Sequence, residues 1–162
     1  EGASIIAHEK EEELVPVLGR ETVEEARSFM NSISVIKDGV TAAGFGVNAM
    51  HDVTEGGVLG AVWEMCEASG TGAEVYMDKI PLHIATRKIC EYYKIDPYRL
   101  ISSGCMLMSA SDGEGLVRRL KQEGIDAAVI GMLNGTGRRL MVSAGGKEEM
   151  SPPASDELYR IL

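Results

Sequence analysis

The chain has 162 residues, 44% of them hydrophobic, and a formal net charge of −9 at pH 7. That length buries one substantial core and not two, and the acidic balance excludes a broad electrostatic grip on nucleic acid or on an anionic membrane. Nineteen glycines point to many tight turns, and with only 5% aromatic residues the core has to come from Val, Ile, Leu, Ala and nine Met. Cys66, Cys90 and Cys105 lie far apart within apolar segments and are expected to be reduced core thiols. Together with His8, His51 and His83 they offer no zinc spacing. No apolar run of about 18 residues and no export signal is present, so a cytoplasmic protein is expected.

In chain order, Glu1-Gly2-Ala3-Ser4-Ile5-Ile6-Ala7 reads as a strand that begins at once, and the chain is therefore expected to be a fragment whose upstream part has been removed. Residues 9–18 read as an acidic helix with Leu14 and Val17 or Leu18 inward, ended by Gly19. Its carboxylates Glu9, Glu11, Glu12 and Glu13 read as a solvated face. Thr22 followed by Glu25 has the form of a capping box, opening a helix with Val23, Ala26, Met30 and Ile33 on one face. Ser34 is placed to cap a third helix that carries Val35, Ile36, Val40 and Ala43 inward and stops at Gly44 to Gly46.

Residues 47–50 read as the end of a strand, and Val58, Leu59, Val62, Met65 and Cys66 then recur at helical spacing. After Ser69-Gly70 the alternation of Ala73, Val75 and Met77 predicts a half-buried strand. Pro81 opens a helix to about Tyr93 with Leu82, Ala85 and Ile89 inside, and Asp96-Pro97 breaks it. Residues 105–108 are expected to be a strand covered on both faces, with Met106 and Met108 in the core. Asp112 caps a helix bearing Leu116, Val117 and Leu120, which Gly124 ends. Residues 127–133 read as a second apolar strand, joined through Asn134-Gly135-Thr136-Gly137 by a hairpin-type turn to a strand over 138–143. A last helical turn covers 156–162. The alternation predicts one domain over 1–162 of α/β (α+β) layered class, a mixed β-sheet packed with helices.

Between the central strand and helix stands Asp52-Val53-Thr54-Glu55-Gly56-Gly57. Thr54 or Asp52 can cap the new helix, and Gly56 and Gly57 remove the Cβ atoms that would keep a ligand away. A helix start offers unpaired N–H donors and the positive end of the helix dipole, which suits phosphate. Asp52 and Glu55 would repel a bare phosphate but could hold Mg²⁺, or act on a proton, where magnesium and nucleotide arrive together. The alternative is that the turn is only a cap. His51 reads either as an acid/base partner of Asp52 or as a strand-end histidine bonded to the backbone. His8 and His83 read as surface residues. The common nucleotide-binding glycine loops are absent.

Five stretches, Gly2-Ala3-Ser4-Ile5-Ile6-Ala7, His51-Asp52-Val53-Thr54-Glu55-Gly56-Gly57, Ser102-Ser103-Gly104, Val129-Ile130-Gly131 and Ser155-Asp156-Glu157-Leu158, resemble in that order the C-terminal domain of the aminoimidazole ribonucleotide (AIR) synthase superfamily. That superfamily takes in AIR synthase (phosphoribosylformylglycinamidine cyclo-ligase), HypE, selenophosphate synthetase and thiamine monophosphate kinase. The resemblance implies an α/β domain that closes a cleft, with ATP and Mg²⁺ held mostly by an N-terminal domain that also dimerises and is absent from this chain. It implies catalytic roles for Asp52, His51 and Thr54, and phosphate or substrate contact by Thr54, Glu55, Gly56, Gly57, Ser102, Ser103 and Gly104. Asp52 is a Mg²⁺ candidate, and the domain is implied to hold no other metal ligand.

The implied chemistry is transfer of the ATP γ-phosphate to a small substrate or a protein-bound carbamoyl-type group, carried by positioning and charge neutralisation. Val53 and Glu55 stand where HypE typically has Pro and Arg, so the expectation is a HypE-like, AIR synthase-related protein with its substrate open. The isolated domain is expected to be inactive. Its expected partners are its own N-terminal domain and a second copy, with neither nucleic acid nor membrane. The alternative is a non-catalytic ligand-binding or hydrogenase maturation/assembly domain that keeps the fold without turnover.

Overall fold

The computed structural model describes residues 1–162. Helices α1 (Gly2–Glu9), α2 (Glu11–Leu18) and α3 (Arg20–Ser28) pack with α6 (Ile84–Tyr93) into a helical layer. Ala3, Ile6 and Ala7, three and four apart on α1, meet Leu14, Val23, Ala26, Ala85 and Ile89 in one cluster that Leu100 completes. Each large aliphatic side chain buried there contributes roughly 1.5–3 kcal/mol. The first residues are thus a helix and not the expected strand, because a short apolar run fits either period and burial against α3 selects 3.6. On that buried face the Ser4 hydroxyl donates to the Arg27 carbonyl at 2.8 Å, which satisfies it fully inside the core.

Two further helix expectations fail for tertiary reasons. α3 starts at Arg20, directly after Gly19 at φ 84°, so Thr22 lies inside the first turn and no capping box forms. α4 (Ile36–Phe45) follows Val35, which makes no side-chain cap, and Ser34 caps nothing. Its buried residue is Ala42, against Leu116 and Leu120 of α7 (Gly113–Gln122), while Ile36 and Val40 are 76% and 70% exposed and Ala43 is exposed too. The helix is turned away from the face that hydrophobicity alone suggested. Its end follows expectation, with Gly46 left-handed at φ 95°.

The strands divide into two sheets. β1 (Ala49–Asp52) and β3 (Met106–Ser109) form an antiparallel ribbon. β2 (Gly72–Tyr76), β4 (Gly131–Asn134), β5 (Arg139–Ser143) and β6 (Gly146–Glu149) form a mixed sheet in the order β4-β2-β5-β6. α5 (Gly57–Ser69) lays Leu59, Val62 and Cys66 on Ala73 and Val75, with Met150 beside them. The α/β class with mixed pairing stands. β3, however, has one partner and is half-buried along its length, so Met106 and Met108 are not fully inside, and Cys105 is exposed while Cys66 and Cys90 are buried.

The apolar segment 127–133 enters the ladder only at Gly131, and its Met132 and Leu133 are exposed. β2 lies between β4 and β5, antiparallel to the first and parallel to the second, so the turn through Asn134 and Gly137 crosses over β2 and is not a hairpin. The hairpin is the next one, β5 to β6, paired from Ser143 and Gly146 outward. The chain ends in a single 3-10 turn, Glu157–Arg160.

Burial, helped by the carboxylates of Asp96, Glu157 and Glu91, pushes the Cys90 thiol from its ordinary 9.0 up to about 12. A raised folded value means a contribution that is complete below about pH 9 and is lost as the pH climbs towards 12. Tyr93, raised from 10.0 to about 12, joins only above pH 10. Urea unfolding across alkaline pH is therefore expected to show falling stability from about pH 9, and Cys90→Ala should flatten the part of that fall below pH 10. An unchanged slope in the variant would assign the loss to another group.

Candidate functional site

The segment from β1 to α5 is held by its backbone. The Val53 N–H donates to the Cys105 carbonyl at 2.9 Å, extending the β1–β3 ladder, and the Val53 side chain is fully buried. Gly56 (φ 79°) and Gly57 (φ 61°) then turn the chain into α5 in conformations that favour glycine. A Cβ on Gly57 would lie 2.6 Å from the Tyr98 carbonyl oxygen and 2.8 Å from that of Leu100. The second glycine is thus required by close packing against the protein's own backbone. With Val53 inward and the glycines fixed, Asp52, Thr54 and Glu55 are left exposed on the outer side of the turn.

The helix start is capped by a residue that local pattern did not reveal. Neither Thr54 nor Asp52 caps α5. The Gly56 N–H instead donates to Asp156 Oδ2 at 2.7 Å, and the other carboxylate oxygen accepts from the Leu158 N–H at 2.8 Å. The Gly57 N–H donates to the Thr54 carbonyl at 3.1 Å, which leaves the N–H groups of Val58 and Leu59 without a protein acceptor. The Tyr159 hydroxyl donates to Glu55 Oε1, and that hydrogen bond, first among the causes, raises the phenol above its ordinary value. The signal for Asp156 was its place in Ser155-Asp156-Glu157-Leu158, one of the stretches that carried the resemblance.

His51 points to side chains and not to backbone. Its Nε2 lies 2.6 Å from Glu64 Oε2 on α5, and Nδ1 lies 3.7 Å from Asp52 Oδ1. Both ring nitrogens thus face carboxylates, and which of them donates depends on the tautomer. His83 caps α6 by accepting from the Ala85 N–H at 3.2 Å, and His8 accepts from Arg27 Nε at 3.2 Å, so both have structural partners on the surface.

The loop Ser102-Ser103-Gly104 arrives at the same end of the ribbon. The Cys105 N–H donates to the Ser102 carbonyl at 3.1 Å, the Ser102 hydroxyl donates to the Leu100 carbonyl at 2.7 Å, and Gly104 (φ 96°) packs on the Ser32 backbone. The two predicted segments approach one another at the Val53–Cys105 backbone hydrogen bond, and no hydrogen bond joins residues 51–57 to Ser102, Ser103 or Gly104.

Toward a magnesium-phosphate ligand the turn offers an exposed carboxylate at Asp52, an exposed hydroxyl at Thr54 and the N–H of Val58, whereas Gly56, Gly57 and Leu59 are buried. These groups do not form a complete metal shell, since no three His, Cys, Asp or Glu side chains converge. No helix is long and apolar enough to cross a membrane.

An α/β domain with a two-stranded ribbon, a mixed sheet and a polar glycine turn at the start of its central helix is the class that these observations define. Residues 2–142 match the model of the AIR synthase related protein, C-terminal domain family, and the chain belongs to that family. It is 27% identical over 140 residues to a Methanocaldococcus jannaschii protein provisionally described as a hydrogenase expression/formation protein, covering 83% of this chain and 42% of that one. It is 31% identical over 121 residues to carbamoyl dehydratase HypE of Escherichia coli, covering 72% of this chain and 36% of HypE.

The crystal structure of E. coli HypE, a hydrogenase maturation protein, superposes with a TM-score of 0.69 at 26% identity, over 79% of this chain and 42% of that one. A HypE solved in complex with ATP shares the fold, with a TM-score of 0.61 at 21% identity over 88% of this chain and 42% of the other. The chain thus spans about two fifths of the length of the curated relatives it matches.

Because Thr54 caps nothing, Thr54→Ala is expected to change unfolding free energy by no more than about 0.5 kcal/mol, where loss of a true cap would cost ~1 kcal/mol. Gly57→Ala, by contrast, should destabilise by more than about 2 kcal/mol through strain and overlap with a backbone that has no rotamer to relax. Urea denaturation of both variants checks the pair. A destabilised Thr54→Ala would return that residue to a structural role.

Proposed function

We propose that the chain is the C-terminal part of an ATP-dependent, HypE-like member of its family and forms one wall of a cleft for phosphoryl transfer from ATP to a small substrate or a protein-bound carbamoyl-type group. The observation that carries this reading is that the fold makes no capping use of the Asp52 and Thr54 side chains. Gly56 is capped from elsewhere, Val53 and Gly57 do the packing, and Asp52 and Thr54 face outward without a capping duty. The relatives support it, since E. coli HypE is a carbamoyl dehydratase and a HypE of this fold was solved with ATP. The remaining nucleotide and Mg²⁺ contacts would come from an N-terminal domain of the same protein, which would be a cytoplasmic homodimer.

ATP bound in such a cleft supplies the phosphoryl group. Thr54 would donate a hydrogen bond from its hydroxyl to a phosphate oxygen, and the Val58 N–H would donate to another. Asp52 would offer its carboxylate to the accompanying Mg²⁺. His51, steadied at Nε2 by Glu64, holds or accepts a proton at Nδ1 beside Asp52. Glu55 and the Ser102-Ser103-Gly104 loop would border the substrate side. Positioning and neutralisation of developing charge then do most of the catalysis.

The test uses a protein of the relatives' full length. Asp52→Ala and Thr54→Ala are each expected to lower ATP-dependent turnover at least about tenfold, roughly 1.4 kcal/mol of barrier, with thermal stability unchanged. The present chain alone should show no significant ATP hydrolysis. Turnover by this chain alone that Asp52→Asn abolishes would sink the one-wall reading, and full activity in both alanine variants would favour a non-catalytic assembly domain.

A further inference from the structure

α4 turns its apolar side outward. Ile33, Ile36, Val40 and Ala43 recur at intervals of three and four, and all four are exposed. Gly44 continues the row, and a groove beside Ile36 and Val40 runs to Arg119 of α7. The one fully buried residue of the helix is Ala42, against α7. A single exposed aliphatic residue needs no explanation. A continuous uncharged row, in a chain of which a quarter is charged, marks a surface that a partner covers.

The path of the first residues indicates which partner. The Glu1 amine donates to the Ser103 carbonyl at 3.5 Å and the Gly2 N–H to that of Ile101 at 2.9 Å, so these residues run along the loop 101–104. Gly104 in that loop lies so close to the approach to α4 that a Cβ on it would be 2.6 Å from the Ser32 carbonyl oxygen and 3.1 Å from the Ile33 Cα. Residues preceding Glu1 in a longer protein would therefore emerge at the foot of the exposed row. Glu1 also has an enclosed carboxylate oxygen, Oε2, without a hydrogen-bond partner, where buried polar atoms ordinarily have one. The curated relatives have the length to cover both features, since the chain spans about two fifths of theirs.

We propose that the outer face of α4, from Ile33 to Gly44, is the seat of the N-terminal domain of the same protein, which covers the row with an apolar surface and supplies the donor that Glu1 lacks. This rests on the reading that such a domain precedes the chain, and it adds the face on which that domain docks. Tethering favours it over a second copy: a domain joined at Glu1 is held beside the row at high effective concentration, whereas two copies meeting there bring together two net charges of −9. The seat is also tied to the candidate site. A Cβ on Gly39 of α4 would meet the end of the Met106 side chain at 3.5 Å, and Met106 is the ladder partner of Asp52. A domain seated on α4 is thus registered against the strand that ends at Asp52.

The experiment measures thiol alkylation in Ile36→Cys and Val40→Cys, each made in this chain and in a protein of the relatives' full length. Peptide masses separate these sites from the native, exposed Cys105. Val17→Cys, at an exposed position on α2, is the control. The two α4 thiols should react in this chain as fast as the control and at least about tenfold more slowly in the long protein, where the control is unchanged. Protection in the long protein should persist on dilution, because the occupant is tethered. Val40→Asp places a charge on the seat and should restore fast alkylation of Ile36→Cys in the long protein without changing it in this chain.

Equal rates in the two proteins, equal slowing at Val17→Cys, or protection that survives Val40→Asp would each overturn the proposal. Protection already present in this chain, or lost on dilution of the long protein, would assign the face to a second copy and overturn it too. Protected α4 thiols beside full turnover in Asp52→Ala would overturn the cleft reading and leave the seat in place, and unprotected thiols beside a tenfold loss in Asp52→Ala would do the reverse.

Discussion

The start of α5 lies backbone to backbone against residues 98 to 100, and most of the architecture follows from that contact. Gly57 has no space for a side chain between its Cα and the carbonyls of Tyr98 and Leu100. Leu100 belongs to the cluster of α1, α3 and α6, whereas Tyr98 packs with the cluster in which Leu59 and Val62 meet the mixed sheet. The contact therefore joins two cores that share no buried residue. Side chains repack around an altered neighbour, but a carbonyl has no rotamer, so the approach of the helix is set within tenths of an ångström. The segment leading into it inherits that precision.

What could be read from the sequence is what is decided within a few residues. Asp112 accepts from the Gly115 N–H at 2.8 Å and opens α7 as its position suggested, and Ala73 and Val75 alternate into the core as their spacing required. The failures share a different cause. Residues 2–7 are apolar enough for a strand or a helix, and only α3 and α6, far along the chain, select one. Ile36 and Val40 look like an inward stripe until α7 turns out to cover Ala42 instead. The position of β2 between β4 and β5 joins residues some sixty apart, which no local turn signal encodes.

The candidate site divides in the same way. The run from Asp52 to Gly57 was recognisable because turn, glycines and helix are consecutive. Its cap was not, because Gly56 and Asp156 are separated by almost the whole domain, and the local candidates Thr54 and Asp52 were plausible on chemistry alone. The distant cap changes the meaning of the motif. A turn whose Thr and Asp hold the helix would have little left for a ligand, whereas one capped by another segment keeps those groups available.

Four carboxylates belong to the turn, to α5 or to the groups bonded to them, in a chain already at net charge −9, and their partners differ. Asp156 is buried on two N–H groups, Glu64 bonds the His51 ring, and Glu55 receives the Tyr159 hydroxyl. Asp52 alone has only a 3.7 Å approach from His51, and its side chain is 65% exposed. A ligand that took Glu64 or Glu55 would have to break an existing hydrogen bond, and one that took Asp156 would have to open the core. A cation arriving at Asp52 loses little and relieves repulsion among the other three. Of the four, Asp52 is therefore the carboxylate whose engagement would disturb the fold least.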